Sequence, residues 1–409
     1  MALVARSLID EGESAALAVG MMPAAVAVTA TLTHRIEDVE PIWRRLMAMG
    51  VESPGQSYDF IKLWTKDRRI RAEDQFYIVG LVDGVPVALM ALHKRFERGV
   101  RALTWFPGSH VGCNAPIADI ARLAAMSPAQ RGALWQAMIG QIRGADIVYL
   151  RAVPAEAGGV AGLFDELGTL LPVETLYRTQ FASWEECDRV QRSKSRRKHD
   201  RQQGDRLNAL GQVEFEEIRS GGDARCAIEI MFQQRAARFK AMGIRDPFVG
   251  GHLLDFYHAA IGPDSGIDVR LHVLRLNGEI VATRYNIVHA DRMFCLISSM
   301  SDDPAIQGGS PGKQCLLRVM QTVFDSGFRV FDMGAGFTDE KRHWCNVEIA
   351  LRHHYVPLTR FGRVALAVHS GIQSAKARIK ANRTLMSWRR LPAQWMSRFS
   401  PKKSEASSD

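Results

Sequence analysis

The chain has 409 residues, 46% hydrophobic and 24% charged, which excludes bulk disorder and leaves room for two domains of ordinary size. Its formal charge of +9 is carried by the tail: residues 360–403 hold eleven Lys/Arg and no acid, so the rest sums to 9 − 11 = −2. The six cysteines (113, 187, 226, 295, 315, 345) form no CxxC pair, a pattern that argues for reduced thiols in a cytosolic setting rather than a disulfide framework.

The chain begins unlike a signal peptide, since Arg6 is followed by Asp10, Glu11 and Glu13. Residues 15–33 lack charge but are rich in Ala, Gly and Thr and contain Pro23. They are expected to be a disordered leader (1–25) entering a strand at Val26–Leu32 rather than a membrane span. Helical spacing follows over Ile36–Met49, with Val39, Ile42, Trp43 and Leu46 on one face, and again over Tyr58–Thr65. Phe76–Val82 and Val85–Ala91 flank Asp83-Gly84, the signature of a β-hairpin. A strand at Leu103–Phe106, a helix at Leu134–Ile142 and a strand at Ile147–Leu150 complete the first half.

The second half repeats the plan. Cys226–Met242 is helical, Val269–Leu276 and Glu279–Val288 flank Asn277-Gly278, and Met293–Ser299 is a strand. The loop Gln307–Lys313 leads into a helix over Gln314–Phe324 and a strand over Phe328–Asp332. An offset of 183 pairs Ser127-Pro128 with Ser310-Pro311, Leu134 with Leu317, Gly144 with Gly327 and Ile147 with Val330. The hairpin turns differ by 194, a loop-sized insertion of about eleven residues. The order of elements predicts two copies of one α/β domain, over 26–180 and 181–358, with a basic tail at 359–409.

This order of elements resembles the GNAT acyltransferase fold. The duplication resembles the tandem-GNAT group that includes BioF2-like/CelD-like acetyltransferases and the FemAB peptidyltransferases. Three segments carry the resemblance: Ser195–Arg201 leading to Gly211–Phe215; Ser310-Pro-Gly312 opening a helix; and Phe331–Gly336 followed by Lys341 and Trp344. It implies mixed α/β sheets flanked by helices, acyl-CoA as co-substrate and an amine acceptor. Two positions depart from the pattern: Ser310 stands where Gly is usual, and Glu340 stands where Tyr often precedes the lysine.

The loop supplies the candidate cofactor residues Gln307, Gly309, Ser310, Pro311, Gly312 and Lys313, because backbone N–H groups at a helix start attract a pyrophosphate. The alternative is an ordinary turn with Pro311 at the first helical position. Candidate catalytic residues are Asp332, His343 and Lys341, since an attacking amine must lose a proton. Asp332 could equally cap the Gly-rich turn or pair with Lys341 or Arg342. Backbone N–H groups near Ser298–Met300 are expected to hold the oxyanion. Arg235, Arg238 and Tyr285 are candidate substrate contacts.

His343, Cys345, His353 and His354 match no zinc spacing, so no metal is expected. The basic stretch Arg189–Arg206 lacks aromatics for base stacking and reads as a solvated helix face, making nucleic acid an unlikely partner. Phe361, Val364, Val368, Ile372, Ala375 and Ile379 follow helical steps between basic residues, with Trp388, Leu391, Trp395 and Phe399 beyond. Residues 361–399 suit either an anionic membrane surface or packing on the chain itself.

The function expected is transfer of an acyl group from acyl-CoA to an amine of a cell-envelope glycan or lipid precursor. Such an enzyme would be cytoplasmic, peripheral on the inner face of the membrane. The alternatives are a FemAB-like transferase using aminoacyl-tRNA and a non-catalytic protein of polysaccharide assembly.

Overall fold

A computed structural model describes residues 27–381 apart from 98, 109, 244, 245, 247, 249 and 250. The expected leader and the Trp388–Phe399 segment lie outside the described residues.

The first half runs β1 (Val28–Thr33), α1 (Glu40–Met47), α2 (Tyr58–Asp67), β2 (Gln75–Val82), β3 (Val85–Glu97), β4 (Val100–Trp105), α3 (Ile120–Ala125), α4 (Pro128–Ile139), β5 (Ile147–Pro154) and β6 (Thr169–Gln180). The second runs α5 (Trp184–Gln191), α6 (Lys194–Asn208), β7 (Val213–Ile218), α7 (Gly222–Ala241), α8 (Leu254–Ala260), β8 (Asp268–Leu276), β9 (Glu279–His289), β10 (Arg292–Met300), α9 (Pro304–Gln307), α10 (Pro311–Asp325), β11 (Val330–Ala335), α11 (Asp339–Trp344) and β12 (Val347–Pro357). The last described helix is α12 (Arg360–Ala381).

The repeat holds in three dimensions. Helices α4 and α10 start 311 − 128 = 183 residues apart, as do β5 and β11, at 330 − 147. Both hairpins turn through left-handed pairs, Asp83 (φ 50°) with Gly84 and Asn277 (φ 52°) with Gly278. Such pairs match the right-handed twist of the flanking strands.

The repeat ends in an exchange. One continuous mixed sheet runs β1-β2-β3-β4-β5-β12-β6-β11-β10-β9-β8-β7. Strand β6, from the first half, pairs with β11 of the second. Strand β12, from the second half, pairs with β5 of the first. The two exchanged strands are antiparallel neighbours at the centre.

Helices α1, α2, α7 and α8 cover one face of this sheet in a core shared by both halves. There Phe60 and Trp64 each meet Phe256 at 5.1 Å between ring centroids. Helix α4 covers the other face of the first half and α10 that of the second. Burial of apolar side chains on both faces explains why the central strands lack clean alternation.

Candidate active site

Strands β10 and β11 are parallel but paired only over Arg292–Phe294 and Val330–Asp332. Beyond Phe294 they diverge. At the same point β10 carries a bulge: Ile297 faces Tyr285 and Cys295 faces Asn286, leaving Leu296 unmatched. The bulge twists the strand away, so the backbone from Cys295 onward has no ladder partner on the β11 side. The opening therefore begins three residues before the Ser298–Met300 segment expected to hold the oxyanion.

A cavity of about 670 Å³ fills this opening and passes through the sheet. On the α7 face it is lined by His110, Arg151, Arg235, Phe248 and His353, and on the α10–α11 face by Arg284, Glu340 and Lys341. At the equivalent divergence of β4 and β5, the backbone N–H of buried Asn114 donates to Ala152 O at 3.0 Å.

Asp332 ends the paired part of β11, is 4% exposed and lines the cavity. Arg178, its cross-strand neighbour on β6, donates Nε to Oδ2 at 2.8 Å. Gly334 N–H donates to Oδ1 at 2.7 Å. So Asp332 both caps the turn and forms an ion pair, and the partner is Arg178 rather than Lys341 or Arg342. Arg178 also meets Glu52 at 2.7 Å, and Glu52 meets Arg292 at 3.2 Å. Burial raises the Glu52 pKa, but Arg178 and Arg292 outweigh it and the net shift is downward.

Lys341 lines the cavity, yet its Nζ donates to three successive carbonyls, Gly334, Ala335 and Gly336, at 3.1, 2.7 and 2.9 Å. It straps the turn after β11. Burial lowers its pKa, partly opposed by Cys295 and Asp332. His343 is not among the cavity residues. Burial, then Arg196 and Arg342, and more weakly Lys313, lower its pKa. These cations gather beside α6, α10 and α11.

The Gln307–Lys313 loop is more occupied than its sequence suggests. Gly309, Ser310, Lys313 and Gln314 donate their N–H groups to Ile306, Gln307 and, for the last two, Ser310 carbonyls. Ser310 adopts φ 48°, a left-handed conformation that favours glycine, and its Oγ accepts from Gln203 Nε2 at 2.8 Å. Gln307 Nε2 donates to Ser301 O. A Cβ at Gly309 would meet Leu207 of α6 at 2.9 Å, and one at Gly312 would meet Met300 Sδ at 2.8 Å. Pro311 is buried at the first helical position, as expected of an ordinary turn, while Lys313 is exposed.

Of the substrate candidates, Arg235 lines the cavity, with Nε 3.2 Å from Asp246 and its guanidinium 4.2 Å from the Phe248 ring centroid. Arg238 is exposed outside the cavity. Tyr285 is fully buried in the shared core, and its hydroxyl donates to Tyr257 O at 3.2 Å, so it does not reach the cavity.

Sequence reasoning missed several cavity residues. Arg284 interrupts the apolar run of β9, a signal that was readable. His353 was weighed only as a metal ligand. Ala152 N–H donates to its Nδ1 at 3.1 Å, which fixes the neutral tautomer with hydrogen on Nε2. Burial lowers the pKa values of His353 and His110 to about 4. No group of three or more His, Cys, Asp or Glu is arranged to hold a metal among the described residues.

A bulged strand, a helix, a diverging parallel strand and a short helix, in that order around the cavity, give the second half the architecture of the GNAT fold. Residues 194–342 match the family model described as acetyltransferase (GNAT) domain, and that stretch of the chain is a GNAT domain. A search of curated proteins finds no match. Similar solved structures include the C-terminal domain (DUF2156) of a proposed lysylphosphatidylglycerol synthetase from Agrobacterium fabrum, 12% identical, with TM-score 0.49, covering 83% of this chain and 96% of that one. L-PGS from Bacillus licheniformis is 13% identical, with TM-score 0.48 and coverage of 81% and 96%. FemX is 10% identical, with TM-score 0.49 and coverage of 78% and 96%.

Proposed function

We propose that the protein is an acyl-CoA-dependent N-acyltransferase whose two substrates enter from opposite faces of the sheet. The observation that carries this reading is the cavity passing through the split between β10 and β11. The donor would lie on the α10–α11 face, its phosphates beside Lys313, Arg196 and Arg342 rather than cradled by the loop N–H groups. The thioester carbonyl would accept hydrogen bonds from the unladdered backbone at Cys295–Ile297. The acceptor amine would arrive from the α7 face, past Arg235, and pass its proton towards Asp332. Attack at the carbonyl carbon forms the C–N bond, the C–S bond breaks, and the coenzyme leaves as a thiol. The first half supplies His110 and Arg151 to the acceptor wall, and β12, which completes its sheet, supplies His353.

The acceptor class we favour is an amine of a cell-envelope glycan or lipid precursor. Supporting a lipid-bound acceptor, Phe361, Val364, Val368 and Ile372 of α12 are 41–58% exposed. The same helix reaches the cavity through Gln373, and residues 360–381 contain no acid. Among the described residues no helix is long and apolar enough to cross a membrane; the attachment proposed is through the exposed apolar side chains of α12 lying at the membrane surface.

A thermal-shift titration tests the donor. Acetyl-CoA or a long-chain acyl-CoA at a hundred times Kd should stabilise the fold by about 2.7 kcal/mol. No stabilisation by any acyl-CoA sinks the reading and favours an aminoacyl-tRNA donor or a non-catalytic role. In flotation with anionic liposomes, the chain should rise with the vesicles, and the Val364→Ser/Val368→Ser variant should stay behind. Equal flotation of both removes the membrane argument.

A further inference from the structure

Arg284 is a buried cation whose hydrogen-bonding capacity the fold leaves largely unused. It stands on β9 directly opposite Ser298 and is 5% exposed. Every polar contact it makes is long. Nη2 lies 3.4 Å from Glu340 Oε2 and 3.5 Å from Gly312 O, and Nη1 lies 3.8 Å from Cys295 Sγ. Its Nε has no partner among the described residues. Arg178, equally buried, is held at 2.7–3.0 Å by two carboxylates and a carbonyl. A guanidinium removed from water without close acceptors is costly, and this one lines the cavity where β10 leaves β11. It borders the first turn of α10 and faces α11. Burial works against its charge, Glu340 opposes burial and the net shift is upward, and a guanidinium keeps its proton in proteins.

We propose that Arg284 is the catalytic cation that receives the leaving thiolate of the acyl donor. This rests on the acyl-CoA reading. As the tetrahedral intermediate collapses, the C–S electron pair moves onto sulfur, and Arg284 meets that charge with N–H donors the resting protein does not satisfy. Arginine stabilises the thiolate without giving up a proton. The sulfur is protonated by water, and the proton lost by the amine leaves on the acceptor side, so the overall balance is thioester plus amine to amide plus thiol. Cys295 is not an acyl carrier in this scheme, because burial raises its thiol pKa and keeps it protonated.

The test needs no knowledge of the acceptor. CoA itself is the probe, and its thiolate is followed by near-ultraviolet absorbance as pH is raised, with S-methyl-CoA as blank. In the wild-type protein the bound thiol should ionise about 1–3 pH units below free CoA, the range expected for an opposite charge within a few ångströms. Arg284→Met should abolish that displacement while keeping or raising the melting temperature, because it removes an ill-matched buried charge. Arg284→Lys, which keeps the charge, should retain part of the displacement and serves if the methionine variant does not fold. Equal ionisation of bound and free CoA, or a displacement that survives Arg284→Met, overturns the proposal while leaving the donor assignment intact. Failure of the wild-type protein to bind CoA, acetyl-CoA or a long-chain acyl-CoA overturns the donor assignment, and this proposal with it. An acyl group trapped on Cys295 and lost in Cys295→Ser would also overturn it.

Discussion

Arg178 shows how one side chain sets the geometry of the candidate site. It is 5% exposed and bridges Asp332 on β11 to Glu52 from the loop after α1. Two buried carboxylates around one guanidinium are tolerable only because the charges are paired and hydrogen-bonded. Arg178→Met should therefore cost about 3–5 kcal/mol in urea unfolding, since Asp332 would keep only the Gly334 N–H. A variant as stable as the parent would show the pair to be dispensable. Asp332→Asn separates structure from chemistry. Arg178 keeps Glu52, so the melting temperature should fall less than in Arg178→Met. Turnover should fall about 10²-fold or more if the carboxylate takes the amine proton. Full turnover in Asp332→Asn would leave Asp332 as a turn cap alone.

At the scale of elements, the exchanged strands decide the outcome. Strand β12 crosses into the first half and β6 into the second, so neither half completes its sheet alone. Each would expose an unpaired edge where the other's strand belongs. Residues 1–182 expressed by themselves should be insoluble or lack cooperative unfolding by circular dichroism, and co-expression with residues 183–409 should restore both. A soluble, cooperatively folding first half would refute this. The duplication itself was legible. Asp83-Gly84 and Asn277-Gly278 mark the hairpins, and the 183-residue offset marks the helices and strands. The exchange was not, because a strand's residues do not encode which of two similar edges it joins. Thr169–Gln180 contains Pro172, and Val347–Pro357 contains Arg352, His353 and His354, so neither read as a central strand. The loop Gln307–Lys313 shows a related limit. Gly309 and Gly312 are explained by the approach of Leu207 and Met300, contacts that only the packing of α6 and β10 creates. Asp332 was legible as a strand-end acid, but its partner Arg178 lies 154 residues away.

For the whole molecule, the histidines predict an asymmetric response to pH. His93, His110, His353 and His354 are held neutral by burial, each with its pKa lowered to about 4. In the unfolded chain the same side chains titrate near 6.5. Above that value both states hold neutral imidazoles, and these groups contribute no pH dependence. Between about 6.5 and 4 the unfolded chain takes up protons that the folded one refuses, so stability falls as pH falls. The carboxylates follow at lower pH: their side-chain bonds to Arg101 and His272 hold Asp146 and Glu217, respectively, near about 2, which extends the loss below the carboxylate range. These four, the furthest displaced, belong to the first half or to β12, which completes its sheet, while burial lowers His289 of β9 and His343 of α11 less. Acidification should therefore loosen the acceptor wall before the β10–β11 split. Urea midpoints should drop between pH 7.5 and pH 5, and hydrogen exchange at pH 5 should rise in β5 and β12 ahead of β9 and β10. Replacing His353 by Gln, which removes one titrating group while keeping an acceptor for the Ala152 N–H, should flatten part of the pH dependence. A midpoint independent of pH over that interval would mean that these imidazoles protonate within the folded protein.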